Sequence, residues 1–302
     1  MEERTDVDVI IIGGSYAGLS AAMALGRSLR KVLILDTGPP CNRQTPHSHN
    51  FLTQDGETPA AIAQKAREQV LAYPTVTFKA EEAVKATRQD NDFQVATASG
   101  ATYRARKLIF ATGIKDLMPD LKGFAECWGI SVLHCPYCHG YEVHNQQWGI
   151  LANGDMGFEL VKLLYHWSPK LTLFTNGKPT FTPEQLEVLQ KKQVAVEEKE
   201  LAELLHDQGY VRQVVFTDGS TREVNAIFAR PAFVQHCSIP QELGCQLTET
   251  GHLQADAFQR TTVPGVLAAG DATTMMRTVA LAVAAGSMAG VMVNKELMEE
   301  DF

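Results

Sequence analysis

No run of more than two lysines or arginines interrupts this chain, and its formal net charge is −8. That excludes the basic surface on which nucleic-acid binding depends. No targeting signal is expected either. Met1 to Asp8 is acidic and passes straight into an apolar strand, without a basic start, a signal-like apolar core or a cleavage site. The longest apolar stretch near the C-terminus, Val279 to Val293, is rich in small residues, interrupted by Gly286 and Gly290, and too short to span a bilayer. Cysteine is scarce, with six in 302 residues, which rules out the disulfide framework of a small secreted domain. Together these absences lead to the expectation of a soluble cytoplasmic protein with no nucleic-acid or membrane partner. One to three compact units of about 100–200 residues are expected at this length, and no low-complexity linker separates them.

Two of the few cysteines stand close together in Cys135-Pro136-Tyr137-Cys138. Two intervening residues bring both sulfurs to one turn, where a disulfide opens and closes with little backbone movement. If the pair opens a helix, unpaired N–H groups there favour a thiolate, the nucleophile and leaving group of disulfide exchange. Half of a zinc site and an inert turn are the alternatives. Cys41, Cys127, Cys237 and Cys245 form no second Cys-x-x-Cys, although His134 and His139 flank the first.

The start of the chain carries a second signal. Val7 to Ile12 is a continuous apolar run with one aspartate, as in a strand buried on both faces. It leads into Gly13-Gly14-Ser15-Tyr16-Ala17-Gly18, a small-residue helix from Leu19 to Leu29, and a second strand, Lys31 to Leu35, ending on Asp36. This is the order of a dinucleotide-binding unit: glycines for a tight turn and close approach to a pyrophosphate, helix N–H donors, and an acid for a ribose. Ser15 departs from the usual pattern by placing a small side chain where the second glycine stands.

Two later segments specify the nucleotide. Lys107 to Gly113 reads as a strand closing on Ala111-Thr112-Gly113, and Thr262 to Asp271 as a strand ending on Gly270-Asp271 before a helix. In this order and spacing they resemble the flavoprotein disulfide reductase superfamily, and with the Cys-x-x-Cys the chain resembles the low-molecular-weight thioredoxin reductase type. The resemblance implies an α/β fold of two domains. A split, Rossmann-like FAD-binding domain would comprise residues 1–113 and 236–302. A smaller NAD(P)H-binding-like domain, residues 114–235, would be inserted and carry the cysteines. The resemblance also implies a homodimer with FAD as cofactor. Gly13, Gly14, Ser15, Gly18, Asp36, Thr112, Gly113, Gly270 and Asp271 would lie along the FAD. Asn50, in the loop with His47 and His49, would contact the flavin, and Arg277-Thr278 would start a helix aimed at its pyrimidine. Cys138 would be the sulfur beside the flavin and Cys135 the one that exchanges with substrate.

Two departures from that family bear on function. The second nucleotide turn reads Ala152-Asn153-Gly154-Asp155-Met156-Gly157, with Ala152 for the first glycine and a carboxylate near the expected pyrophosphate. Thr175-Asn176-Gly177 follows the next strand without an arginine for a 2′-phosphate, leaving only Arg230 to compensate. NAD(P)H is therefore doubtful, and ferredoxin, flavodoxin or oxygen remain as redox partners. His139 replaces the aspartate usual after the second cysteine, and an ordinary imidazole pKa of ~6.5 suits proton transfer. The form Cys-x-x-Cys-His-Gly-Tyr-Glu is similar to deeply branching bacterial thioredoxin reductases and to the oxidases that close the disulfides of gliotoxin and holomycin. The expected activity is reduction of a thioredoxin-like protein or small disulfide. An oxygen-dependent dithiol oxidase and a flavin-bound redox sensor are the alternatives.

Overall fold

The first strand, β1 (Thr5–Ile12), buries Val9, Ile10, Ile11 and Ile12 on both of its faces. Successive side chains of a strand point to opposite sides, so Val9 and Ile11 enter one apolar cluster and Ile10 and Ile12 another. The computed structural model describes residues 5–302; residues 1–4, part of the acidic opening segment, lie outside the described residues. β1 pairs in parallel with β2 (Val32–Leu35) and β6 (Thr102–Phe110), and β2 continues to β3 (Val76–Lys79). β5 (Asp92–Thr97) runs antiparallel along the first half of β6 and pairs with β4 (Ala83–Gln89). β17 (Val266–Ala268) runs parallel along the last half. β6 alternates buried and half-buried residues beside β5, then is buried throughout over residues 107–110 beside β17.

Helix α1 (Tyr16–Arg27) follows β1, and α2 (Pro59–Leu71) starts on a Thr58 cap that accepts from the Ala61 N–H. The long α8 (Val279–Asp301) lies along α1 through its glycines. A Cβ on Gly286 would stand 2.0 Å from the Ala17 carbonyl oxygen, and one on Gly290 2.6 Å from that of Ala21. The small-residue stretch is thus internal packing within this unit. The short α7 (Ile239–Glu242) closes its other side with Ile239 buried.

The chain divides into two compact units, one comprising the chain up to Arg43, Asn50–Lys115 and Phe233–Phe302, the other Gln44–His49 and Asp116–Ala232. The breaks fall after Lys115 rather than Gly113 and before Phe233 rather than His236. Gln44–His49, expected in the first unit, groups with the second. The reason is local: Gln44 and Thr45 pack against Gly129, and His49 meets Glu142. Strands β7 (Ile114–Asp116) and β16 (Phe233–Gln235) pair where the chain leaves and re-enters the first unit.

The second unit is built on five parallel strands in the order β11 (Ala195–Glu197), β10 (Leu171–Phe174), β9 (Trp148–Leu151), β15 (Ala226–Ala229) and β8 (Val132–Leu133). Helices α5 (Gly154–Leu164) and α6 (Pro183–Lys191) serve this sheet, α6 opening on a capping box between Thr182 and Gln185. A three-stranded antiparallel sheet of β12 (Leu201–Asp207), β13 (Tyr210–Phe216) and β14 (Thr221–Glu223) shares a core with Phe124, Cys127 and Trp128 on and after the short α3 (Phe124–Cys127). No helix among the described residues is long and apolar enough to cross a membrane.

Candidate functional site

In the first unit, the residues expected along a dinucleotide meet at the carboxyl ends of β1, β2 and β6, where parallel sheets take their ligands. Gly13 has φ +104°, and a Cβ there would lie 2.3 Å from the Ala111 carbonyl oxygen. A Cβ on Gly18 would lie 1.9 Å from the Gly13 oxygen, so helix and turn can close only on glycine. Asp36 accepts from the Gly14 N–H at 2.8 Å and the Gly38 N–H at 3.0 Å, which locks turn to acid and leaves carboxylate lone pairs for a hydroxyl. Ser15 stands at the N-cap of α1 without bonding its first-turn N–H groups. An N-cap serine ordinarily satisfies one of those donors, so here they are left for a ligand.

Thr112 follows β6 with its hydroxyl buried and unpartnered, and Gly113 takes φ +65°. A buried hydroxyl without a partner is costly, and a bound polar ligand would satisfy it. Gly270 (φ +80°) opens one 3₁₀ turn at the end of β17, and Asp271 pairs with Arg277 at 3.5 Å. Thr278 caps α8 by accepting from the Leu281 N–H at 3.1 Å. Asn50 is exposed, with φ +60°, and its N–H donates to Asp55. The cradle fits a dinucleotide: open helix donors, no side chains where a pyrophosphate lies, an acid at the second strand and an orphaned hydroxyl.

In the second unit, Cys135 is the N-cap of α4 (Pro136–His139), with Pro136 at the first helical position, where its missing N–H costs nothing. The Cys135 sulfur makes no cap bond of ordinary geometry but accepts a hydrogen bond from Cys138 and faces the Tyr137 and Cys138 N–H groups. With Arg230 adding positive charge, these outweigh burial and bring Cys135 down to about 7. Its thiolate is thus present in quantity at neutral pH. His139 moves the other way from the value expected for it: burial first, and then the charge of His49, lower it to about 4. At neutral pH the imidazole is neutral, and only a negative sulfur forming beside it would pull its proton affinity back up.

Around the pair, Tyr137 is exposed and meets Trp167 edge-on at 5.3 Å, and Tyr141 stacks on His144. Glu142, the last residue of the motif, stands 3.5 Å from His49. Among the described residues no group of three or more His, Cys, Asp or Glu side chains gathers to hold a metal.

The second nucleotide turn is filled by the chain itself. Asn153 caps α5 and accepts from the Gly154 N–H at 2.8 Å and the Thr180 N–H at 2.9 Å, while its amide donates to the Lys178 carbonyl at 2.9 Å. Gly154 has φ +57°, and a Cβ there would lie 2.7 Å from the Thr180 hydroxyl. Asp155 accepts from Gln185 at 2.8 Å, placing a carboxylate on the first turn of α5. Asn153 at a strand–turn–helix junction is legible as a cap. Thr180 is not, because it lies 27 residues on, beyond α5 and β10.

Comparison with known proteins follows from this geometry. The model of a family described as pyridine nucleotide-disulphide oxidoreductase matches residues 7–289. Thioredoxin reductase sirT of Leptosphaeria maculans is 31% identical, over 97% of this chain and 95% of its own. The crystal structure of HlmI superimposes with a TM-score of 0.93 at 32% identity, covering all of this chain and 95% of that one. An oxidoreductase from Agrobacterium tumefaciens superimposes with a TM-score of 0.90 at 36% identity, covering 97% and 99%.

Proposed function

The chain belongs to the pyridine nucleotide-disulphide oxidoreductase family, and from that premise we propose an FAD-dependent enzyme in which Cys135 and Cys138 exchange electrons with a thioredoxin-like protein or small disulfide. The observation that carries this reading is the Cys135–Cys138 pair on one turn, with Cys135 at the N-cap of α4 and its sulfur lowered by the Cys138 hydrogen bond. When bound, FAD supplies the two-electron donor and acceptor for the pair. Gly13, Gly14, Ser15 and Gly18 would hold its pyrophosphate, Asp36 its adenosine ribose, Thr112, Gly113, Gly270 and Asp271 the rest of the chain towards the flavin. Asn50, Arg277 and Thr278 would flank the ring.

In the reductive direction the Cys135 thiolate attacks a substrate disulfide, forming a mixed disulfide and releasing one substrate thiolate. Cys138 then gives up its proton and attacks the Cys135 sulfur, releasing the second thiolate and closing the Cys135–Cys138 disulfide. The pair loses two electrons and the substrate gains them. His139, neutral and next to Cys138, takes up the proton as that sulfur becomes negative. Running the same steps backwards oxidises a dithiol.

The closed turn at Asn153 favours a second reading, an oxygen-dependent dithiol oxidase, over an NAD(P)H-driven reductase. Scarce cysteine supports a cytoplasmic setting. The exposed apolar residues Leu281, Met288, Val291 and Met298 along α8 support a homodimer. The test is anaerobic mixing of the FAD-loaded protein with NADPH, NADH or a small dithiol, followed by the visible flavin absorbance. The dithiol should bleach it and the nicotinamides should not, with admitted oxygen restoring colour and yielding hydrogen peroxide. Bleaching by NADPH within a turnover would overturn the oxidase. A wild-type response to dithiols unchanged in Cys138→Ser would overturn the whole reading.

A further inference from the structure

Arg230 has no place in the closed nucleotide turn, but the strand register gives it another. β8 and β15 are neighbours in the parallel sheet, with Val132 opposite Ile227 and Leu133 opposite Phe228. Two residues beyond the last pair lie Cys135 on one chain and Arg230 on the other. Cys135 is still extended at φ −118°, ψ 110°. Pro231 follows Arg230, and a residue before proline is held in extended backbone, so Arg230 continues the line of its strand. Adjacent strands stand about 4.8 Å apart, well within the reach of an arginine side chain. β15 is buried through Ala229, and Arg230 emerges exposed at the same carboxyl edge as the sulfur.

We propose that Arg230 is a positioning residue for disulfide exchange: its guanidinium holds the Cys135 sulfur in the thiolate form that attacks a disulfide. Of the titratable groups on the elements carrying the pair, Cys138 and His139 on α4 and His134 after β8 carry no permanent positive charge. Arg230 after β15 is a permanent cation. After the hydrogen bonds from Cys138 and Tyr137, its charge is a further, smaller influence that lowers the Cys135 thiol. An anion beside a fixed cation is stabilised at every pH at which the sulfur can ionise. The same charge makes Cys135 a better leaving group when a substrate thiolate attacks its partner in a mixed disulfide, because a less basic thiolate departs faster.

The inference rests on Cys135 being the exchanging sulfur, and its test needs no turnover. The FAD-loaded full chain is reduced, desalted and pulsed with iodoacetamide from about pH 5 to about pH 10, and alkylation of the Cys135 peptide is measured by mass spectrometry. Wild-type protein should show a midpoint near about 7. Arg230→Gln should raise the midpoint and slow alkylation at neutral pH roughly threefold, whereas Arg230→Lys retains most of the rate. Concentrated salt should narrow the gap between wild type and Arg230→Gln, as it does for any exposed charge. A midpoint unchanged in Arg230→Gln overturns the proposal, and so does an Arg230→Lys shift as large as that of Arg230→Gln. An enzyme inactive on every disulfide would leave these profiles intact, so failure of the proposed function reads differently from failure here.

Discussion

Burial alone would push Cys135 and His139 towards their neutral forms, yet only His139 follows it. The difference lies in what each polar atom faces: Cys135 has a thiol, two N–H groups and a guanidinium, while His139 has a second imidazole. A depressed histidine is a statement about stability. Between about 4 in the folded protein and the ordinary value near ~6.5 in the unfolded chain, the unfolded state holds the extra proton. Stability therefore rises with pH through that window, is fully present above it, and is lost as pH falls towards 4. His139→Gln removes this dependence. Its stability relative to wild type should improve by about 2 kcal/mol from pH ~7 down to ~4. Urea titrations of both proteins across that range check it, and a constant difference would show that His139 is not held neutral by the fold.

Elements were legible in the sequence where their signals are local. The strands Trp148–Leu151 and Leu171–Phe174 stand where their apolar runs place them. α1 begins at Tyr16, ahead of the expected Leu19, because Ser15 takes the cap position and the fingerprint glycine is already helical. α8 was the harder case. Its apolar stretch ends at Val293, but the helix runs on to Asp301, because the polar tail finds partners remote in sequence. The pairing of β8 with β15, which brings residue 227 beside residue 132, leaves no mark on either segment alone. α8 buries Gly286, Ala289, Gly290, Met292, Val293 and Leu297 along one face, and the two glycines let that face approach α1 closely, which makes a sharp test of its orientation. Gly286→Ala drives a methyl into the Ala17 carbonyl, forcing α8 off α1 beside the Gly13–Gly18 turn. Overpacking of this kind should cost about 1–3 kcal/mol and reduce the flavin retained through gel filtration.

The whole chain closes its first unit only with its last helix. Arg30 after α1, Arg106 and Lys107 on β6, and Arg260 before β17 all reach the end of α8. Arg30 meets Asn294 and Asp301, Arg106 meets Glu300 and Asp301, Lys107 meets Glu296 and Glu300, and Arg260 meets Glu296. A chain with net charge −8 thus spends four of its cations on one helix terminus. For a helix whose C-terminal carbonyls already carry negative charge, carboxylates there are unfavourable unless cations answer them. Lys107 is the most enclosed of the four, with its side chain 8% exposed, so its removal leaves Glu296 with Arg260 alone and takes one cation from Glu300. Burial raises the Glu300 carboxyl, but hydrogen bonds and charge from Lys107 and Arg106 outweigh it. Bonds from Arg30 and Arg106 lower Asp301. Groups held below their unfolded values contribute stability above those values and lose it as pH falls through the folded ones. Lys107→Met should therefore lower stability by roughly 1–2 kcal/mol at neutral pH. As pH falls through the lowered folded-state value of Glu300, the difference should shrink. Thermal midpoints of wild type and Lys107→Met measured from neutral pH downwards should converge, and parallel curves would mean that the lysine acts through packing of its stem rather than its charge.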